Sequence, residues 1–107
     1  MDYLATAEKA LKYLQDSEDS YASLKATHQA EKERLKITEA ACVLDSDAKT
    51  VKDREMQAKT TNEYKDAVEQ WQQVMEEFYL IEAKRKRAEL TIEMYRSVNS
   101  SMKRGNI

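Results

Sequence analysis

One histidine, one cysteine and several close groups of carboxylates are the side chains in this sequence with chemistry to offer. A lone histidine on a helix interface can act as a pH switch. The plainer role for His28 is a polar member of an apolar face, bonded across to a neighbouring helix. Zinc would need a second His or Cys at i+3 or i+4, and none stands there. Cys42 lies fourteen residues from His28, roughly 20 Å along a helix, so that base cannot activate it. Cys42 is therefore expected to be a small packing residue. Asp16, Glu18 and Asp19, Glu31 and Glu33, and Glu76 and Glu77 form acidic groups. Paired carboxylates do acid–base work only in a cleft that strips their water, and they read here as solvated faces or partners for lysines. The Glu-x-x-His pairs of a di-iron bundle are missing from the sequence. These residues predict no enzyme, no catalytic residue, no metal and no cofactor.

The elements that would position such residues are helices. The 107 residues contain no proline, and the one glycine is Gly105. With both helix breakers absent from the first 104 positions, helix meets almost no opposition. Charged residues make up 36%, and the mean hydropathy is -0.85. That is too polar for a thick core and suits long helices with narrow seams. No apolar run approaches the ~20 residues of a membrane span, and residues 1–20 do not read as a signal peptide. One cysteine allows no internal disulfide. A cytoplasmic protein is expected.

Two rows spaced by seven set the architecture. One holds Tyr64, Trp71, Phe78, Arg85, Ile92 and Asn99; the other holds Ala67, Val74, Ile81, Ala88, Tyr95 and Met102. Three- and four-residue steps alternate between them, so both lie on one helical face. Every member except Arg85 and Asn99 is apolar or aromatic. Polar residues at such positions set register or oligomer state. In the first half, Ala7, Leu14, Tyr21, His28, Leu35 and Cys42 form a comparable row, with Leu4, Leu11 and Leu24 beside it. The expected seam core is Leu11, Leu14, Tyr21, Leu35, Tyr64, Trp71, Val74, Phe78, Ile81 and Ile92.

The segment Leu44 to Thr50 is rich in Asp, Ser and Thr, which favour turns and N-caps. Thr50 followed by Asp53 is a weak capping box. The pattern predicts an all-α single domain over residues 1–107. It is a long antiparallel two-helix hairpin, with a first helix at about 3–43, a turn at about 45–50 and a longer second helix at about 51–103. Thr60, Thr61 and Asn62 allow a kink or break, and Gly105 with Asn106 is a sensible stop. This register places Tyr3 opposite Ile92 and Arg85 near Glu8. The second helix would then overhang, leaving Tyr95, Val98 and Met102 uncovered. A lone seam offsets little of the ~1–2 kcal/mol per residue of lost chain entropy. Pairing into a helical-bundle homodimer is therefore expected.

Charge is uneven along the chain. Residues 1–83 hold 11 Lys/Arg and 18 Asp/Glu, whereas residues 84–107 hold 7 Lys/Arg and only Glu89 and Glu93. Four successive cations, Lys84 to Arg87, spread around the helix at ~100° steps and make no one-sided reading surface. Phosphate contacts through Lys84, Arg87, Arg96, Lys103 and Arg104 are conceivable, although no nucleic-acid-binding motif appears. Docking on a protein partner through Tyr95, Val98, Met102 and Arg96 is the favoured expectation. Nucleic-acid binding by the basic 84–104 segment is the alternative.

The run Arg85-Lys86-Arg87-Ala88-Glu89-Leu90-Thr91-Ile92-Glu93-Met94-Tyr95-Arg96-Ser97-Val98-Asn99, with Arg104-Gly105-Asn106-Ile107 at the end, is one element of a resemblance. With the opening Tyr3-Leu4 and Ala7-Glu8-Lys9-Ala10-Leu11, it resembles short all-helical proteins of tailed bacteriophages encoded among early replication and recombination genes. The likeness covers the two ends of the chain. It brings no catalytic residues and implies a phage accessory protein that acts by binding, in the host-cell cytoplasm.

Overall fold

The computed structural model describes residues 2–105, and among them every regular element is an α-helix. Four helices follow in order: α1 (Tyr3–Asp16), α2 (Glu18–Asp45), α3 (Val51–Ala58) and α4 (Asn62–Gly105). Asn106, the second half of the expected stop signal, lies outside the described residues.

Each start has a local cause. The Asp2 carboxylate accepts from the Ala5 N–H at 3.0 Å and caps α1. Glu18 and Asp19 sit in the first turn of α2, where negative charge complements the helix dipole. Thr50 caps α3, accepting from the Asp53 N–H at 3.1 Å. The Thr61 hydroxyl accepts from the Tyr64 N–H at 3.2 Å at the head of α4. Lys103 and Arg104 close the last turn of α4 with favourable charge.

The helices pack as two units. The first holds the chain up to Ala22 together with the segment from Tyr79 onward; the second is Ser23–Phe78. In the second unit, α2 and α4 run in opposite directions. His28 stacks on Phe78 with ring centroids 5.2 Å apart and on Trp71 at 6.4 Å. Further along, Thr61 Oγ1 lies 3.3 Å from Cys42 Sγ. The connection is tied back to α3. Arg54 Nε donates to the Ala48 carbonyl at 2.7 Å, Gln57 Nε2 donates to Asp47 at 3.3 Å, and the Ser46 hydroxyl donates to Gln57 Oε1.

In the first unit, α1 lies along the C-terminal part of α4, again in opposite directions. Arg85 Nη1 donates to the Leu14 carbonyl at 2.8 Å and to Ser17 Oγ at 2.7 Å. Its guanidinium carbon sits 4.9 Å from the centre of the Tyr21 ring. Tyr21 in turn donates to Glu82 at 3.3 Å.

The seven-residue rows are the protected ones. Of the twelve α4 positions, Ala67, Val74, Phe78 and Ala88 are buried, and only Met102 is exposed. All six members of the α1–α2 row, Ala7 to Cys42, are shielded.

Four expectations are corrected. The first helix is divided at Ser17, whose hydroxyl donates to the Tyr13 carbonyl at 2.6 Å while accepting from Arg85. The second helix breaks at Lys59 to Thr61, where the sequence allowed it; what is corrected is the connection, which is longer than the expected 45–50 turn, so that Cys42 meets Thr61. The pairing of Tyr3 with Ile92 and of Arg85 with Glu8 is replaced by Tyr3 beside Tyr95 and Val98, and Arg85 on Leu14 and Ser17. The guanidinium satisfies a carbonyl in the last turn of α1, where the helix itself supplies no donor, and this fixes the alignment. Leu11, expected in the seam, is 50% exposed. The row pairing with Ala7, Leu14 and Tyr21 is instead Ala10, Ser17 and Leu24.

Candidate docking groove

The alignment of α1 with α4 brings two small residues, Ala10 and Ala88, to one level of the first unit. Small side chains there leave room between the helices. Two adjoining hollows of about 390 and 220 Å³ result, sharing Thr6 and Thr91. One end is cationic: Lys9 of α1 stands with Lys84 and Arg87 of α4, beside Tyr13. The other end is apolar, with Tyr3 of α1 against Met94, Tyr95 and Val98 of α4. Among the described residues no carboxylate lines either hollow.

One side of α4 explains this chemistry. Leu80, Lys84, Arg87, Leu90, Thr91, Met94 and Val98 recur at three- and four-residue steps, so they share a stripe beside the seam. Leu80, Leu90 and Met94 are more than half exposed. The acids of this stretch, Glu82, Glu89 and Glu93, lie at other positions around the helix.

The four successive cations take different roles. Arg85 is held by Leu14 and Ser17, and Lys86 Nζ lies 3.5 Å from Glu82. Lys84 and Arg87 are left on the groove. Arg96, Lys103 and Arg104, the other candidate phosphate contacts, are exposed on α4 outside the groove lining. Tyr95 and Val98, expected to be uncovered, are half-buried beside Tyr3. Met102 is 61% exposed. The reading from sequence missed Tyr3, Thr6, Lys9, Tyr13, Thr91 and Met94 as groove residues. The acid-free stripe on α4 was the signal available for two of them, Thr91 and Met94.

The second unit has a larger hollow, about 990 Å³, at the α2–α3–α4 end. Among the described residues, Asp45, Asp47, Glu63 and Asp66 line it against a single cation, Arg34. Cys42 opens onto it beside Thr61. His28 is placed elsewhere in that unit, within the aromatic stack. Among the described residues no three His, Cys, Asp or Glu side chains stand close enough to share a metal ion, and no helix is long and apolar enough to cross a membrane. Comparison with family models, curated proteins and solved structures finds no match for the chain.

Proposed function

We propose that this chain is a non-enzymatic helical interaction protein that docks one helix of another polypeptide along the α1–α4 groove. Its two long helices form an antiparallel hairpin in this reading, and the groove belongs to the unit that carries α1. The observation that carries the proposal is the groove's composition: an apolar floor open at the surface, three cations along one part and no acid. A helix laid between two others buries its own apolar stripe there, the usual mode of helix-in-groove recognition. An accessory role of this kind is what the resemblance to phage early-region proteins implies.

A photoreactive amino acid in place of Thr91, at the shared middle of the groove, tests the reading in the source cell. One polypeptide should be captured, and Met94→Glu/Val98→Glu should abolish capture. Capture that survives this double change would refute the proposal.

The second reading, nucleic-acid binding, rests on the exposed Arg96, Lys103 and Arg104 together with Lys84 and Arg87. Phosphate-driven binding weakens on the order of a thousandfold between 50 and 200 mM salt for six or more contacts. Titration of a labelled 20-mer, single-stranded and duplex, at the two salt concentrations separates the readings. The docking proposal expects no binding at 200 mM.

A further inference from the structure

The occupant of the groove can be named more closely, on the basis of the docking reading. We propose that it is the end of α2 from a second copy of this chain. Leu44 is 81% exposed and Ile37 is 68% exposed. They stand seven residues apart on α2, with exposed Ala40 and Ala41 between them, so the four form one stripe on the helix. Exposed apolar side chains in a row mark a contact surface more strongly than scattered ones.

The charges match as well. From Ile37 to Asp47 the chain has Glu39, Asp45 and Asp47 and no Lys or Arg. The groove has Lys9, Lys84 and Arg87 and, among the described residues, no acid. The α2 end is thus a short acidic helix with one apolar stripe, and the groove offers an apolar floor beside three cations. Lengths agree too. Nine residues of helix, Ile37 to Asp45, extend ~13 Å, and the groove from Lys84 to Val98 extends ~21 Å at ~1.5 Å per residue, so the segment fits within it.

In such a complex Leu44 and Ile37 settle on the floor formed by Ala88, Met94 and Val98. Asp45, at the edge of the stripe, meets the cations at the rim. Ridge and groove are different surfaces, so the contact closes as a dimer when two copies exchange ridges and otherwise propagates as an open chain.

Sedimentation velocity from 1 to 200 µM tests the inference on the full chain. The unmodified protein should move, with rising concentration, from its 12.4 kDa mass to at least twice that. Lys84→Glu/Arg87→Glu and Asp45→Lys should each be monomeric throughout, with unchanged helical circular dichroism. A 1:1 mixture of the two should regain association, because one reversed groove then meets one reversed ridge. Leu44→Ser, which alters no charge, should also be monomeric. A monomeric unmodified protein at 200 µM, variants that associate like it, or a mixture that stays monomeric would each overturn the inference. The Thr91 cross-link separates this failure from that of the docking reading. Capture of a different chain leaves docking in place and removes the second copy, whereas no capture removes both.

Discussion

Replacing Arg85 tests the register argument most directly. Its guanidinium makes two hydrogen bonds, to the Leu14 carbonyl at 2.8 Å and to Ser17 Oγ at 2.7 Å, and sits over the Tyr21 ring. A hydrogen bond to a charged group contributes ~1.5–3 kcal/mol, and a cation over an aromatic face ~0.5–1 kcal/mol at a wet site. Arg85 is only partly buried and water competes for its bonds, which places the expected loss below the ~3.5 kcal/mol low end of that sum. Arg85→Ala should cost about 2–3 kcal/mol, which moves a urea midpoint down by about 1–2 M at a typical slope. Arg85→Lys keeps the charge but not the fork and should lose about half as much. The decisive variant is Arg85→Ala/Ser17→Ala, taken with its two single variants. It removes the donor together with the 8%-exposed hydroxyl that the donor satisfies. Removing both partners is cheaper than orphaning one, so the double-mutant cycle should give a coupling of about 1–2 kcal/mol. Urea unfolding followed by circular dichroism at one fixed concentration measures all four species. Additive single effects, within ~0.5 kcal/mol, would refute the view that Arg85 fastens the break at Ser17.

Other outcomes follow from the same packing. Thr50→Ala removes the cap of α3 and should cost about 1 kcal/mol, with faster amide exchange confined to residues near 51–58. His28→Ala empties the stack between Phe78 and Trp71 and should destabilise by about 1–3 kcal/mol. The emission of Trp71, the only tryptophan, should shift to longer wavelength in the same variant; an unshifted spectrum would contradict the stack. Trp71 Nε1 is buried without a hydrogen-bond partner among the described residues, so Trp71→Phe gives up an unsatisfied donor and should change stability by less than about 1 kcal/mol.

Much of this architecture was legible because a seven-residue spacing is hard to hide. The rows through Trp71 and Phe78, and through Val74 and Ala88, are the shielded ones, and helix dominates as the missing prolines require. Partners in α1 and α2 were less visible. Ala10, Ser17, Glu31 and Thr38 are small or polar, so no apolar row announces them, while Leu4 and Leu11 drew notice and are half exposed. Alignment escaped for a related reason. Two polar stretches, one before Val51 and one at Thr60, competed for the turn, and the chain uses both, with α3 between them. The groove depends on Ala10 facing Ala88 and on Lys9 joining Lys84 and Arg87. Those coincidences arise only once the alignment is fixed, and the alignment hangs on one arginine meeting one carbonyl.

Cys42 offers a last consequence. It is the single thiol in the chain, half-shielded, with the Thr61 hydroxyl against its sulfur. The hollow exposes one side of that sulfur, and a maleimide gains the side covered by the threonine when the threonine moves aside. The speed of labelling therefore times how often the junction between α2 and α4 breathes, and no probe need be engineered in. Slower modification when a ligand is added would report tightening at that junction, read from one native atom.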